Sequence, residues 1–120
     1  MTQEYEPNNL NVIDSDQVQG IKIFGSKSEK LGSIDKLVIH KAKGHICFVI
    51  LRPSDELEIG SDLYPIPWDT LSYDETADSY LTGLSKDQLE GAPRYHSDRT
   101  WTEDQAAHIH DYYGVSTYWF

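Results

Sequence analysis

Between Gly20 and Leu84 the chain falls into five or six short β-type runs, broken once by Tyr64-Pro65-Ile66-Pro67-Trp68. Runs of this length have no stability alone, so they must pair and curl around a shared core. The stretch reads as a small β-barrel. Its first run is Ile21-Lys22-Ile23-Phe24, followed by the polar turn Ser26-Lys27-Ser28-Glu29-Lys30. A longer run from Leu31 to His40 carries Gly32 near its start, which predicts a bulge or a close backbone approach. Lys41-Ala42-Lys43-Gly44 predicts a hairpin loop. The third run, His45 to Arg52, is apolar almost without interruption, which predicts a central strand buried on both faces. Pro53 ends it, and the acidic segment 54–61 predicts a mobile loop. Leu63-Tyr64-Pro65-Ile66 predicts a fourth strand held to an edge or a strand end by its prolines. Pro67-Trp68-Asp69-Thr70 predicts one helical turn that lays an indole against the barrel, and Leu71-Ser72-Tyr73 with Tyr80-Leu81-Thr82 a closing hairpin.

Two helices are marked by their caps. Ser85-Lys86-Asp87-Gln88 and Thr102-Glu103-Asp104-Gln105 both have capping-box spacing. Gly91 and Pro93 stop the first helix, and Gly114 closes the second. On the second helix Ala106, Ile109, Tyr112 and Tyr113 share an apolar face, opposite Asp104, His108 and Asp111, with His110 to one side. Residues 1–14 lack periodicity and read as a flexible tail.

Charge excludes more than it identifies. Residues 1–52 carry seven Lys/Arg against six Asp/Glu, whereas residues 53–120 carry three against fourteen. The resulting net charge of −10 repels phosphate backbones and favours cationic partners, so direct nucleic-acid binding is not expected. The two charge sets either solvate opposite ends of a barrel or attract one another or a basic protein. No apolar run approaches the ~20 residues that span a bilayer, and the polar, acidic start has no secretory-signal pattern. The single cysteine, Cys47, lies in an apolar run without a cationic neighbour, which predicts an inert thiol and a cytoplasmic location.

The candidate constellations are weak. Asp104, His108 and Asp111 have i, i+4, i+7 spacing and could place three metal ligands on one helical face, yet a solvated polar stripe has the same pattern. His40 and His45 flank a hairpin as ordinary surface imidazoles. No serine or cysteine sits in an activating context, no glycine-rich loop precedes a helix, and no carboxylate pair has apolar surroundings. No catalytic residue, no bound cofactor and no enzyme activity are expected. The aromatic end, with Trp101, Tyr112, Tyr113, Tyr118, Trp119 and Phe120, either covers the domain's own apolar patch or anchors a partner.

The order of these features resembles the PRC-barrel domain family. The likeness is carried by Gly20 before a strand, Lys30-Leu31-Gly32-Ser33-Ile34 at a hairpin, Val38-Ile39, the apolar third strand and Tyr64-Pro65-Ile66-Pro67-Trp68-Asp69-Thr70-Leu71. Leu89-Glu90-Gly91-Ala92-Pro93 and His110-Asp111-Tyr112-Tyr113-Gly114-Val115, with Tyr118-Trp119 beyond, resemble a bacterial subgroup of the same family. The resemblance implies a mainly β fold: a small, closed, antiparallel barrel of about six strands over 15–84, then two short helices and an aromatic tail over 85–120. It also implies an adaptor role, as in the cytoplasmic part of the photosynthetic reaction-centre H subunit and the C-terminal half of a ribosome-maturation factor. The expectation is therefore a cytoplasmic, non-catalytic interaction module, self-associating as a homodimer or bound to a larger assembly. Alternatives are an accessory factor of a photosynthetic or electron-transport membrane complex, and a ribosome-assembly factor acting through a basic ribosomal protein. The expected partner surface is Asp55, Glu56, Glu58 and Asp62 with Trp101, Tyr118, Trp119 and Phe120. This adaptor expectation leans on a closed, apolar-cored cylinder that holds nothing reactive.

Overall fold

Bulges bend the longest strands. The computed structural model describes residues 11–116. In it β1 (Lys22–Phe24) pairs antiparallel with β2 (Lys30–Ile39), and β2 with β3 (Ile46–Pro53). The register slips once between Ile23 and Phe24, and twice along β2, between Ile34 and Lys36 and between Val38 and Ile39. Each slip leaves an extra residue on one side of the ladder and increases the local twist. A glycine is required where β2 bends against β3: a Cβ on Gly32 would lie 2.0 Å from the Arg52 carbonyl oxygen. Beside it Asp35, buried, is paired with Arg52.

The remaining strands are β4 (Tyr64–Pro67), β5 (Leu71–Asp74) and β6 (Ser79–Thr82). They complete one six-stranded sheet in the order β4-β3-β2-β1-β6-β5. The expected closed antiparallel barrel is corrected on two points. β1 and β6 run parallel, and the sheet is an open half-barrel whose edges are β4 and β5. The physical reason lies in strand direction. Following the pairings round the sheet, β4 and β5 point the same way, yet only the turn Trp68–Thr70 joins them. Parallel neighbours need a crossover of about a dozen residues or more, so these two strands run on end to end and cannot zip the sheet shut. Pro65 and Pro67 also deprive β4 of ladder donors, as the edge assignment predicts.

The concave side is filled. Ile23, Leu31, Ile34, Val49, Leu51, Tyr64 and Ile66 pack there with Leu84, Leu89 and Ala92. Leu89 belongs to α1 (Lys86–Glu90), whose capping box is formed: the Ser85 hydroxyl accepts from the Gln88 amide at 3.3 Å, and Gln88 Oε1 accepts from the Ser85 amide at 3.0 Å. The convex side of β3 is covered by α2 (Glu103–Tyr113), through Phe48 and Cys47 against Ala106 and Ile109. Hence β3 is buried on both faces, although it lies one strand in from an edge. Thr102 caps α2 by accepting from the Gln105 amide at 3.1 Å. The loop after β3 is better anchored than its composition predicts: Asp55–Leu57 forms a 3-10 turn and buries Leu57 in the core. No helix among the described residues is long and apolar enough to cross a membrane.

Candidate functional site

The acidic residues expected to meet a partner are exposed, but they are not equivalent. Asp55 and Glu56 ride on the 3-10 turn, and Glu58 closes it in the left-handed region with φ 57°. Asp62 is already engaged, with Arg94 Nε 3.3 Å from its carboxylate. Arg94 also donates to the Glu90 and Ala92 carbonyls at 3.0 and 2.6 Å and lies 4.6 Å from the Tyr64 ring centre. Trp101 is half-buried and stacks on Phe48 with ring centres 5.1 Å apart, so part of this aromatic serves the fold. Tyr118, Trp119 and Phe120 lie outside the described residues.

The weak metal candidates Asp104, His108 and Asp111 all point to solvent from the outer side of α2. Among the described residues no group of three or more His, Cys, Asp or Glu side chains could hold a metal ion. The assignment of the other face needs correcting at two positions. His110 is 1% exposed and stacks on Phe48 with centres 5.0 Å apart, whereas Tyr112 is 40% exposed and donates from its hydroxyl to the Gln88 carbonyl. Ala106, His110 and Tyr113 follow an i, i+4, i+7 stripe, a signal already legible in the sequence.

His110 also lines a hollow of about 400 Å³ with His45, Cys47, Trp68 and Asp69. Burial lowers the His110 pKa, against a smaller upward pull from Asp69 and Asp111. Burial pushes the Cys47 thiol up, which makes it a poorer nucleophile near neutrality. In this hollow burial therefore disfavours both the Cys47 thiolate and the charged His110 imidazole.

The segment after β3 differs in charge from the segment before it. Between Pro53 and Ser85 there are eight acidic residues and no lysine, arginine or histidine. That segment supplies both edges of the sheet. On the β5–β6 hairpin Asp74 accepts from the Thr76 and Ala77 amides at 3.1 and 3.3 Å and shapes the turn. Tyr73 donates its hydroxyl to the Asp78 carboxylate at 2.6 Å, a bond that pushes the Tyr73 pKa up to about 12. On this hairpin the carboxylates of Asp74 and Asp78 are thus held by hydrogen bonds from the turn and from Tyr73.

The family profile of the PRC-barrel domain matches residues 10–89. The chain belongs to the PRC-barrel family. The matched span runs through all six strands of the PRC barrel and into α1 as far as Leu89, the residue that plugs the concave core. No curated protein sequence matches the chain. Among solved structures it is similar to RimM, a 16S ribosomal RNA processing protein of Pseudomonas aeruginosa, at 19% identity and a TM-score of 0.46. The alignment covers 69% of this chain and 50% of that one, so the chain spans about half the length of its structural neighbour. A likeness this distant carries no functional argument.

Proposed function

We propose that this PRC-barrel protein is a non-catalytic interaction module that binds a basic protein partner through its acidic side. The observation that supports the reading is charge segregation: every lysine and arginine between Asn11 and Gly83 precedes Pro53, while both sheet edges fall in the base-free segment after it. The closed cylinder on which the adaptor expectation from sequence depended is an open half-barrel. That ground for the expectation is gone, and the reading rests on charge segregation and the filled core instead. The filled concave core and a Cys47 thiol that burial pushes up support the non-catalytic half of the reading. A net charge of −10 gives such a module fast, salt-sensitive association with cations and repulsion from phosphate.

The test is affinity purification of the full chain from cells, with nuclease present, at low and high ionic strength. A basic protein retained in stoichiometric amount at low salt and released at high salt is the expected result. Retention of RNA that nuclease abolishes, or turnover of a substrate by the purified chain, would overturn it. The identity of the retained protein, ribosomal or membrane-complex, separates the two narrower roles that the family resemblance implies.

A further inference from the structure

We infer that the free edge of β5 accepts an extended, lysine- or arginine-bearing segment of a partner protein as an added strand. The inference rests on the interaction reading above and names its surface and mode. The sheet has two edges, and they are treated differently. β4 is blunted by Pro65 and Pro67, and α2 packs against it. β5, Leu71-Ser72-Tyr73-Asp74, has no proline and no lysine, and among the described residues no strand pairs with its outer side. Unpaired backbone donors and acceptors on such an edge are a template for another strand.

Side chains on both faces suit the addition. Tyr73 lies opposite Tyr80, which pairs with the core residue Ile23, so Tyr73 is on the concave face. Ser72 lies opposite Leu81, which pairs with Phe24, so these are on the convex face. Tyr73 is 40% exposed and Leu81 43%. An incoming strand, whose side chains alternate, therefore meets the Tyr73 ring on the concave face and Ser72 on the convex face, with Leu81 one strand further in.

Charge selects the occupant. Asp69 precedes the strand, Asp74 ends it, and Glu75 and Asp78 follow it, with no base within the hairpin. A second copy pairing antiparallel through Leu71–Asp74 would bring Thr70 and Asp69 of one chain beside Glu75 and Thr76 of the other, setting acid near acid at both ends. A basic strand replaces that repulsion with attraction.

The probe is a capped, fluorescein-labelled peptide of alternating Lys and Val, titrated into the full chain by anisotropy at low ionic strength, with amide NMR on the same samples. We expect saturable binding, shifted and exchange-protected amides at 71–74, and affinity about tenfold weaker when every second peptide amide is N-methylated in one of the two phases. Replacing each Lys by Glu is expected to abolish binding. Ser72→Pro is expected to weaken the parent peptide in the same way, and the N-methyl series on the unaltered chain decides the matter should that variant misfold. Equal affinity for both N-methylated peptides, or amide shifts confined to other strands, overturns strand addition while the interaction reading stands. Failure of every basic peptide and of the affinity purification overturns both. A concentration-dependent dimer whose contact maps to 71–74 would show that the occupant is a second copy and overturn the choice made here.

Discussion

Gly32 has no room for a methyl group, because its Cβ would meet backbone rather than the end of a flexible side chain. Gly32→Ala is expected to destabilise the fold by about 3 kcal/mol, the upper part of the range for overpacking. Thermal unfolding checks it; an unchanged midpoint would mean that β2 and β3 can separate without loss. His110 carries a pH dependence whose sign follows from burial. Its folded pKa is lowered, so the unfolded chain binds more protons once the pH falls below the ordinary histidine value of about 6.5. The stability from neutral His110 is complete above that pH and is lost as the pH drops through it toward the folded value. The charged or titratable groups around it are Asp69, Asp111, His45 and Cys47. His110→Phe keeps an aromatic ring on Phe48 and removes the titration. Its thermal midpoint is expected to fall less than that of the parent chain between about pH 7.5 and pH 5.5; equal falls would assign the dependence elsewhere. The buried position of His110 was available from the helical stripe, whereas its contact with Phe48 depends on a strand more than fifty residues earlier.

At the scale of elements, each helix begins where its cap residue stands, because Ser85 and Thr102 satisfy amides that the first turn leaves without partners. Ser85→Ala is expected to cost about 1 kcal/mol, visible in urea unfolding as a lower midpoint with an unchanged slope. Ile109→Ala removes the side chain that α2 buries against Phe48 and Cys47, and is expected to cost about 2–5 kcal/mol. Because Trp101 stacks on Phe48, its fluorescence should change with the same transition; a separate, earlier change would show that α2 detaches from an intact sheet. Strand positions, caps and the edge role of β4 were legible, since each depends on residues within one turn or one alternation. The slips along β2 and the parallel β1–β6 pair were not, because pairing partners far apart in sequence decide them.

For the whole molecule, the dominant global quantity is the net charge of −10, most of it after Pro53. Self-repulsion of that kind weakens the compact state and is screened by salt within a Debye length of about 10 Å at 0.1 M. The thermal midpoint is therefore expected to rise as a neutral salt is added from low concentration to about 0.3 M; a fall would mean that the ion pairs Arg52–Asp35 and Arg94–Asp62 outweigh the repulsion. The acid surface itself was plain in the sequence. That β5 forms the other edge was not, since its place in the sheet depends on the parallel pairing of β6 with β1 far away in sequence. By itself the sequence determined the β segments, the apolar third strand, the helix caps and the segregation of charge, all of which follow from the chemistry of near neighbours. Only the tertiary structure decided that the barrel stays open, because that outcome depends on the directions of two strands joined by three residues at opposite ends of a six-stranded sheet.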